Sequence, residues 1–307
     1  MTPKPALYTT EFPIRYDECD PYGHVNHAVY LRYMQEAAFQ ATAAVGYPMS
    51  WYEAQGRAWL VRDTDIEYLA PLHYGDRVRV RTWVLDFRRV RSRRAYELYR
   101  LPAAGGVGER APSGEAQLAA RAVTDWVYLE RETQRPLTVP PEMVAAFMPA
   151  GPPPDAPPRE RFPEPPPPPV GVFIQSRRVQ WADLDPADHV NNATYLGFLE
   201  DCAVQDALSR GWPVKRMLEE GRFAIVARRF RIEYKAPAVL NEELNVSSWV
   251  SDLRRISAVR HYAVHRAADG ALLTRARARW AWVDPESGRP RRIPEDFIAD
   301  FAPNIVD

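Results

Sequence analysis

Cysteine, net charge and long apolar runs are all scarce in this chain. Two cysteines in 307 residues, Cys19 and Cys202, are too few for a disulfide framework or a zinc ribbon, so both read as small apolar fillers, Cys202 on a helix. Forty basic residues balance forty acidic ones, which leaves no global field to draw the chain to nucleic acid or a membrane surface. No stretch approaches the roughly 20 apolar residues of a membrane span, and the N-terminal segment lacks an apolar core of signal-peptide length. The expected location is the cytoplasm. Neither a G-x-S-x-G elbow nor a Walker loop occurs anywhere.

Proline, by contrast, is abundant and concentrated: twelve of the 21 residues from 149 to 169 are proline. That density excludes helix and sheet and favours an extended polyproline II path of roughly 3.1 Å per residue, long enough to cross the face of a domain. On either side lies a repeat. "DPYGHVNHAVYL" (20–31) and "DPADHVNNATYL" (185–196) share 8 of 12 residues at an offset of 165. "IEYLAP" (66–71) matches "IEYKAP" (232–237), and "WVLDFRR" (83–89) matches "WVSDLRR" (249–255), both at 166. Trp126 then matches Trp280, and Pro136 matches Pro290, at 154, so the first copy carries twelve extra residues around 102–114. We read these as a lengthened hairpin loop, because the counterpart "RAADGA" (266–271) has an Asp269-Gly270 pair suited to a tight primed turn. The expected domains are 1–148 and 170–307, joined by the Pro-rich linker 149–169.

Each copy repeats one order of elements. A short strand (8–16; 172–181) leads into the motif, and then Leu31, Met34, Ala38, Ala41 and Val45 recur three or four apart, predicting one buried helix that ends at Gly46. Four strand-like segments follow at 59–70, 76–86, 90–101 and 117–130, with partners at 223–236, 242–252, 255–267 and 271–283. A short helix closes each copy, near 141–148 and 294–302. The class is α+β, and one long apolar helix with a run of antiparallel strands buries its surface best if the sheet curls around it.

With "DPxxHVNxAxYL" in both copies, the chain resembles the hotdog-fold thioesterases, of the type represented by 4-hydroxybenzoyl-CoA thioesterase and the acyl-ACP thioesterases. The resemblance implies two hotdog domains in one chain, each a curled antiparallel sheet around a central helix, packed as an intrachain pseudo-dimer with the acyl pocket where the copies meet. It implies hydrolysis of an acyl-CoA or acyl-ACP thioester, without a cofactor. A homodimer of the whole chain is a further expectation. The plant acyl-ACP enzymes carry an asparagine two residues after the motif aspartate; this chain has Tyr22 and Ala187 there.

The residues supply the chemistry such a reaction needs. Asp20 and Asp185 are candidate nucleophiles or general bases on water. His24 and His189, four residues on, offer an imidazole that titrates near working pH. Asn26 and Asn191 stand just before the helix, where asparagine caps well. Backbone amides of His27, Ala28, Asn192 and Ala193, with the helix dipole behind them, form the expected oxyanion site. Tyr30 and Tyr195 read as packing. Gln35, Glu36, Glu200 and Asp201 place polar groups one to two turns into the helix. Arginines are a second feature: Arg88, Arg89, Arg254 and Arg255 are candidates for gripping coenzyme A phosphates or an acidic carrier protein, with a solvated sheet edge as the alternative. A metal site from Asp17, Glu18, Asp20 and His24 is disfavoured because the second copy has Ala182 in place of Asp17. Two other functions stay open on the same residues: hydration of an enoyl thioester, and non-catalytic acyl-thioester binding.

Overall fold

The computed structural model describes residues 6–101, 116–153 and 156–306. The expected loop insertion at 102–114 lies outside the described residues. Contacts divide the chain into two compact units, Met1–Glu160 and Arg161–Asp307, with the division inside the Pro-rich segment.

The first unit runs β1 (Tyr8–Pro13), α1 (His27–Ala44), α2 (Met49–Ala54), β2 (Arg57–Tyr68), β3 (Arg77–Arg88), β4 (Arg91–Leu101), β5 (Gln117–Glu130) and α3 (Pro141–Phe147). Its strands pair antiparallel in the order β1-β3-β4-β5-β2. The second repeats the plan with β6 (Phe173–Arg178), α4 (Asn192–Ser209), α5 (Val214–Glu219), β7 (Ala224–Tyr234), β8 (Glu243–Ser251), β9 (Ser257–Arg266), β10 (Leu272–Val283) and α6 (Glu295–Phe301), in the order β6-β8-β9-β10-β7. Among the described residues no helix is long and apolar enough to cross a membrane.

Period-two sequence explains the sheets. In β3, "RVRVRTWV", the side chains of Val78, Val80, Thr82 and Val84 are buried, while Arg79 and Arg81 point the other way and pair with Glu11 and Glu97. Each such valine contributes about 1.5–3 kcal/mol by leaving water. The central helices bury the residues their 3.6-residue period selects: Leu31, Met34, Ala37 and Ala41 in α1, and Leu196, Leu199 and Cys202 in α4. Cys202 is packing, as expected. The helices α2 and α5 were not expected from the pattern; each has six residues behind a proline N-cap, too few to display a period.

Two local expectations are corrected. At 266–271 only Gly270 has positive φ, +72°, and its amide donates to the Arg266 carbonyl across a four-residue loop. That is a right-handed turn closed by a left-handed glycine, not a two-residue primed turn, because Asp269 uses its carboxylate to accept the Ala271 amide at 3.0 Å. The Pro-rich segment, moreover, is held by side chains rather than proline stiffness alone. Arg159 reaches both Asp86 and Asp125 on the first unit's sheet. In the second unit Phe162 lies under the guanidinium groups of Arg231 and Arg275, Glu164 pairs with Arg275 at 2.7 Å, and Trp249 Nε1 donates to the Pro166 carbonyl at 3.1 Å.

Candidate active site

In both units the chain leaves a short 3-10 turn, closes a tight loop and enters the central helix. The loop is closed by backbone bonds from Asp20 to the His24 carbonyl (2.8 Å) and from Asp185 to the His189 carbonyl (3.1 Å). It needs one left-handed residue, Gly23 at φ +75° in the first copy and Asp188 at +62° in the second. The aspartate side chain completes the turn: Asp20 Oδ1 accepts the amides of Tyr22 (2.9 Å) and His24 (3.3 Å), and Asp185 Oδ1 accepts that of Ala187 (2.9 Å). Since the turn uses the backbone of residue 22 or 187, it makes no demand on the side chain there, where Tyr and Ala stand.

Each loop is pinned to its own unit's body. Val25 N–H donates to the Leu72 carbonyl and Val190 N–H to that of Ala238, both at 2.9 Å. Asn26 and Asn191 cap α1 and α4 as expected, accepting the amides of Ala28 and Ala193 at 2.9 Å. Asn191 does more, because its Nδ2 donates to Asp185 Oδ2 at 3.1 Å. One side chain therefore ties the helix start to the carboxylate. These caps correct the expected oxyanion site: the amides of Ala28 and Ala193 are already bonded, and those of Val29 and Thr194 go to the Asn26 and Asn191 carbonyls. The caps themselves do not engage the amides of His27 and Asn192.

The two copies differ electrically. Burial raises the Asp20 pKa above its ordinary 3.8, against the lowering pull of the His24 and Tyr22 amides and the His27 and His24 rings. Burial also lowers His24 below its ordinary 6.5, helped by the neighbouring His73, whose ring stands edge-on at 5.0 Å. His73 was not singled out in the sequence because Val239 replaces it in the second copy. In that copy His189 Nε2 is shielded from solvent and has no hydrogen-bond partner among the described residues.

Other residues fall into place around this core. Tyr68 and Tyr234, from the repeated "IEY", donate to the carbonyls of His27 and Asn192 at 3.3 and 2.9 Å, a role that the repeat signalled but did not specify. Tyr30 and Tyr195 are buried, the latter accepting the Ala238 amide at 3.1 Å. Glu18 is buried against Arg15 and the Tyr33 hydroxyl (2.6 Å), and no group of three His, Cys, Asp or Glu placed to hold a metal occurs among the described residues. Glu36 is exposed and bonded by Gln40, while Asp201 accepts from Gln175 at 2.8 Å. The four arginines singled out in the sequence lie away from the motif of their own unit. Arg88 and Arg89 end β3, and Arg254 and Arg255 follow β8, at the strand ends opposite the loops pinned near His73 and Ala238. Eleven strand steps from Arg77 to Arg88 amount to roughly 36 Å, so neither pair meets its own unit's motif. All four are exposed.

Comparison with known proteins fits this doubled site. The family model "Thioesterase-like superfamily" matches residues 14–147 and again 179–301. The acyl-CoA thioester hydrolase YbgC of Escherichia coli O6:H1 is 29% identical over 130 residues, 42% of this chain and 96% of that protein. A putative acyl-CoA thioesterase, YneP of Bacillus subtilis, is 30% identical over 127 residues, 41% of this chain and 83% of that one. Such relatives are about one copy long. Among solved structures, a putative oleoyl thioesterase from Lactobacillus plantarum superposes with TM-score 0.68 at 18% identity, covering 95% of this chain and 98% of that chain. The 12:0-ACP thioesterase from Umbellularia californica does so with TM-score 0.66 at 19% identity, over 90% and 94%. These two structures share the fold in both copies.

Proposed function

The chain belongs to the thioesterase-like superfamily, as a tandem of two hotdog domains, and from that membership we propose that it hydrolyses an acyl-CoA or acyl-ACP thioester to the free acid and thiol. The observation that carries the proposal is the linked placement of Asp185, Asn191 and the start of α4. Asp185 is half-buried, with one oxygen in the turn and the other on Asn191, beside the positive end of a buried helix.

In this reading Asp20 or Asp185 acts on the thioester carbonyl, either directly or through a water. The tetrahedral oxyanion is received by the His27 or Asn192 amide, where one donor is typically worth roughly 100- to 1000-fold in rate. His189, with its buried Nε2 unpaired, is placed to orient water or the carboxylate. Asn26 and Asn191 are positioning residues. Thiol release from a panel of acyl-CoA and acyl-ACP substrates tests the proposal. Asp20→Asn and Asp185→Asn should each lower the rate of the copy they disable, and together reduce turnover by roughly 100-fold or more, the contribution expected of a positioned base. Unchanged thiol release in the double variant would remove both carboxylates from the mechanism. In a single turnover in 18O-water, unlabelled acid would show attack by the carboxylate and opening of the resulting anhydride by water at the aspartyl carbonyl, which leaves protein oxygen in the product; direct attack by water gives labelled acid.

A further inference from the structure

Each unit carries an arginine inside its core, on matching positions of β4 and β9, but among the described residues only one has an anion. In the C-terminal unit Arg260 is 9% exposed and Asp206, on α4, is 0% exposed. Arg260 Nη1 donates to Asp206 Oδ2 and to Ser248 Oγ, both at 2.8 Å. Arg210 (2.7 Å) and Asn304 (2.8 Å) complete the carboxylate's shell, and Arg260 lies 5.6 Å from the Phe301 ring centroid.

In the N-terminal unit the same cradle recurs without the acid. Arg94 is 6% exposed, donates to Thr82 Oγ1 at 3.4 Å and lies 5.4 Å from the Phe147 ring centroid. Thr82 and Phe147 are the repeat counterparts of Ser248 and Phe301. The positions of Asp206, Arg210 and Asn304, however, are taken by Ala41, Val45 and Ala150. Among the described residues no carboxylate pairs with Arg94, and burial pulls its pKa down against only the weak opposing pull of the Tyr96 and Tyr52 phenols. A guanidinium has five donors, and leaving a charged group buried without a partner is among the most costly arrangements in a protein core. On the helix, the smaller Ala41 and Val45 stand where Asp206 and Arg210 stand in the other copy, and Ala150, the counterpart of the buried Asn304, is exposed.

We propose that Arg94 is a ligand site, receiving the carboxylate at the far end of an ω-carboxyacyl chain, the group that Asp206 supplies from within in the C-terminal unit. Arg94 is then a specificity-determining residue: a planar guanidinium takes a carboxylate in bidentate fashion, and a plain alkyl end would leave the charge unpaired. How the carboxylate is delivered rests on the thioesterase reading; that Arg94 holds one does not.

The test has two arms, both on the full chain. In the first, melting temperature is followed with medium-chain fatty acids, α,ω-dicarboxylic acids, the matching alcohols and chloride. The acids should raise it and the alcohols should not. Arg94→Met should fold and lose that response, and Ala41→Asp should melt higher without ligand and likewise fail to respond. A response equal with chloride, absent from the wild type, or retained in both variants overturns the site. In the second arm, thiol release is compared between ω-carboxyacyl-CoA and plain acyl-CoA series. The wild type should favour the carboxylated series by about tenfold or more, as a charge-assisted hydrogen bond would give, and Arg94→Met should abolish that preference. Thiol release without the preference, or a preference that survives in Arg94→Met, sinks the proposal and leaves the thioesterase reading standing. No thiol release from either series sinks that reading, and the melting arm then decides Arg94 alone.

Discussion

Asp20 and Asp185 occupy the same place in the repeat but not the same surroundings, and the difference is measurable. With Asp185→Asn silencing the second copy, the remaining activity depends on Asp20 being ionised and His24 neutral. Burial raises the first group above 3.8 and lowers the second below 6.5, so the acid limb of the rate should have its midpoint above the ordinary carboxylate value of 3.8. As pH falls through that midpoint the carboxylate gains its proton and the rate drops. A midpoint at or below 3.8 would contradict the burial of this carboxylate. Asn191 invites a second test at this scale, run in an Asp20→Asn background. Asn191→Ala removes both the helix cap and the carboxylate's donor, and should cost about 1 kcal/mol of stability. Asn191→Ser keeps a capping acceptor without adding charge but loses the Nδ2 donor to Asp185, so melting should fall less than in Asn191→Ala while kcat falls. The drop should be roughly tenfold or more, a share of the 100- to 10,000-fold of a positioned base. Equal melting losses in the two variants would reduce Asn191 to a cap.

Among the elements, the Pro-rich segment behaves as a fastened strap. Burial alone would raise the Asp86 pKa, but hydrogen bonds from Arg93 and Arg159 outweigh it and hold the carboxylate below its ordinary range. Arg159 is itself largely buried between Asp86 and Asp125, so it is no ordinary surface ion pair. Removing it by Arg159→Ala should free the segment from the first unit, while Asp86 and Asp125 keep Arg93 and Arg91. Limited proteolysis should then cleave within 149–169 several-fold faster, with little change in melting. An unchanged cleavage rate would mean that proline stiffness alone keeps the segment in place. The central helices need no such external fastening, since each has a capping asparagine and a largely apolar buried face.

At the scale of the whole chain, the two copies have kept their loops and changed their cores. The Asp-turn, the capping Asn and the Tyr bonded to the helix start recur in both units with nearly the same distances. The core polar residues do not recur. Asp206, Arg210 and Asn304 form a closed network around Arg260 in one unit, and in the other Arg94 keeps Thr82 but has no carboxylate among the described residues. Duplication thus supplied two similar reaction loops but two different interiors, which is where acyl selectivity is set in the reading above.

The amino-acid order alone determined the doubled architecture, the element types apart from the short α2 and α5, the helix starts at Asn26 and Asn191, and the Asp and His on the loops before them. These features are local, and propensity, period and capping act over a few residues. Only the tertiary structure decided which groups the fold leaves unpaired. It engaged the Ala28 and Ala193 amides in caps, put Arg88, Arg89, Arg254 and Arg255 at the strand ends away from their own motifs, brought His73 against His24, and left Arg94 buried without an acid. A charge's partner lies across the sheet or on the helix, some 50 to 100 residues away along the chain, as Asp206 is from Arg260 and Asn304. Whether it is solvated, paired or stranded depends on that distant packing, which no short pattern records.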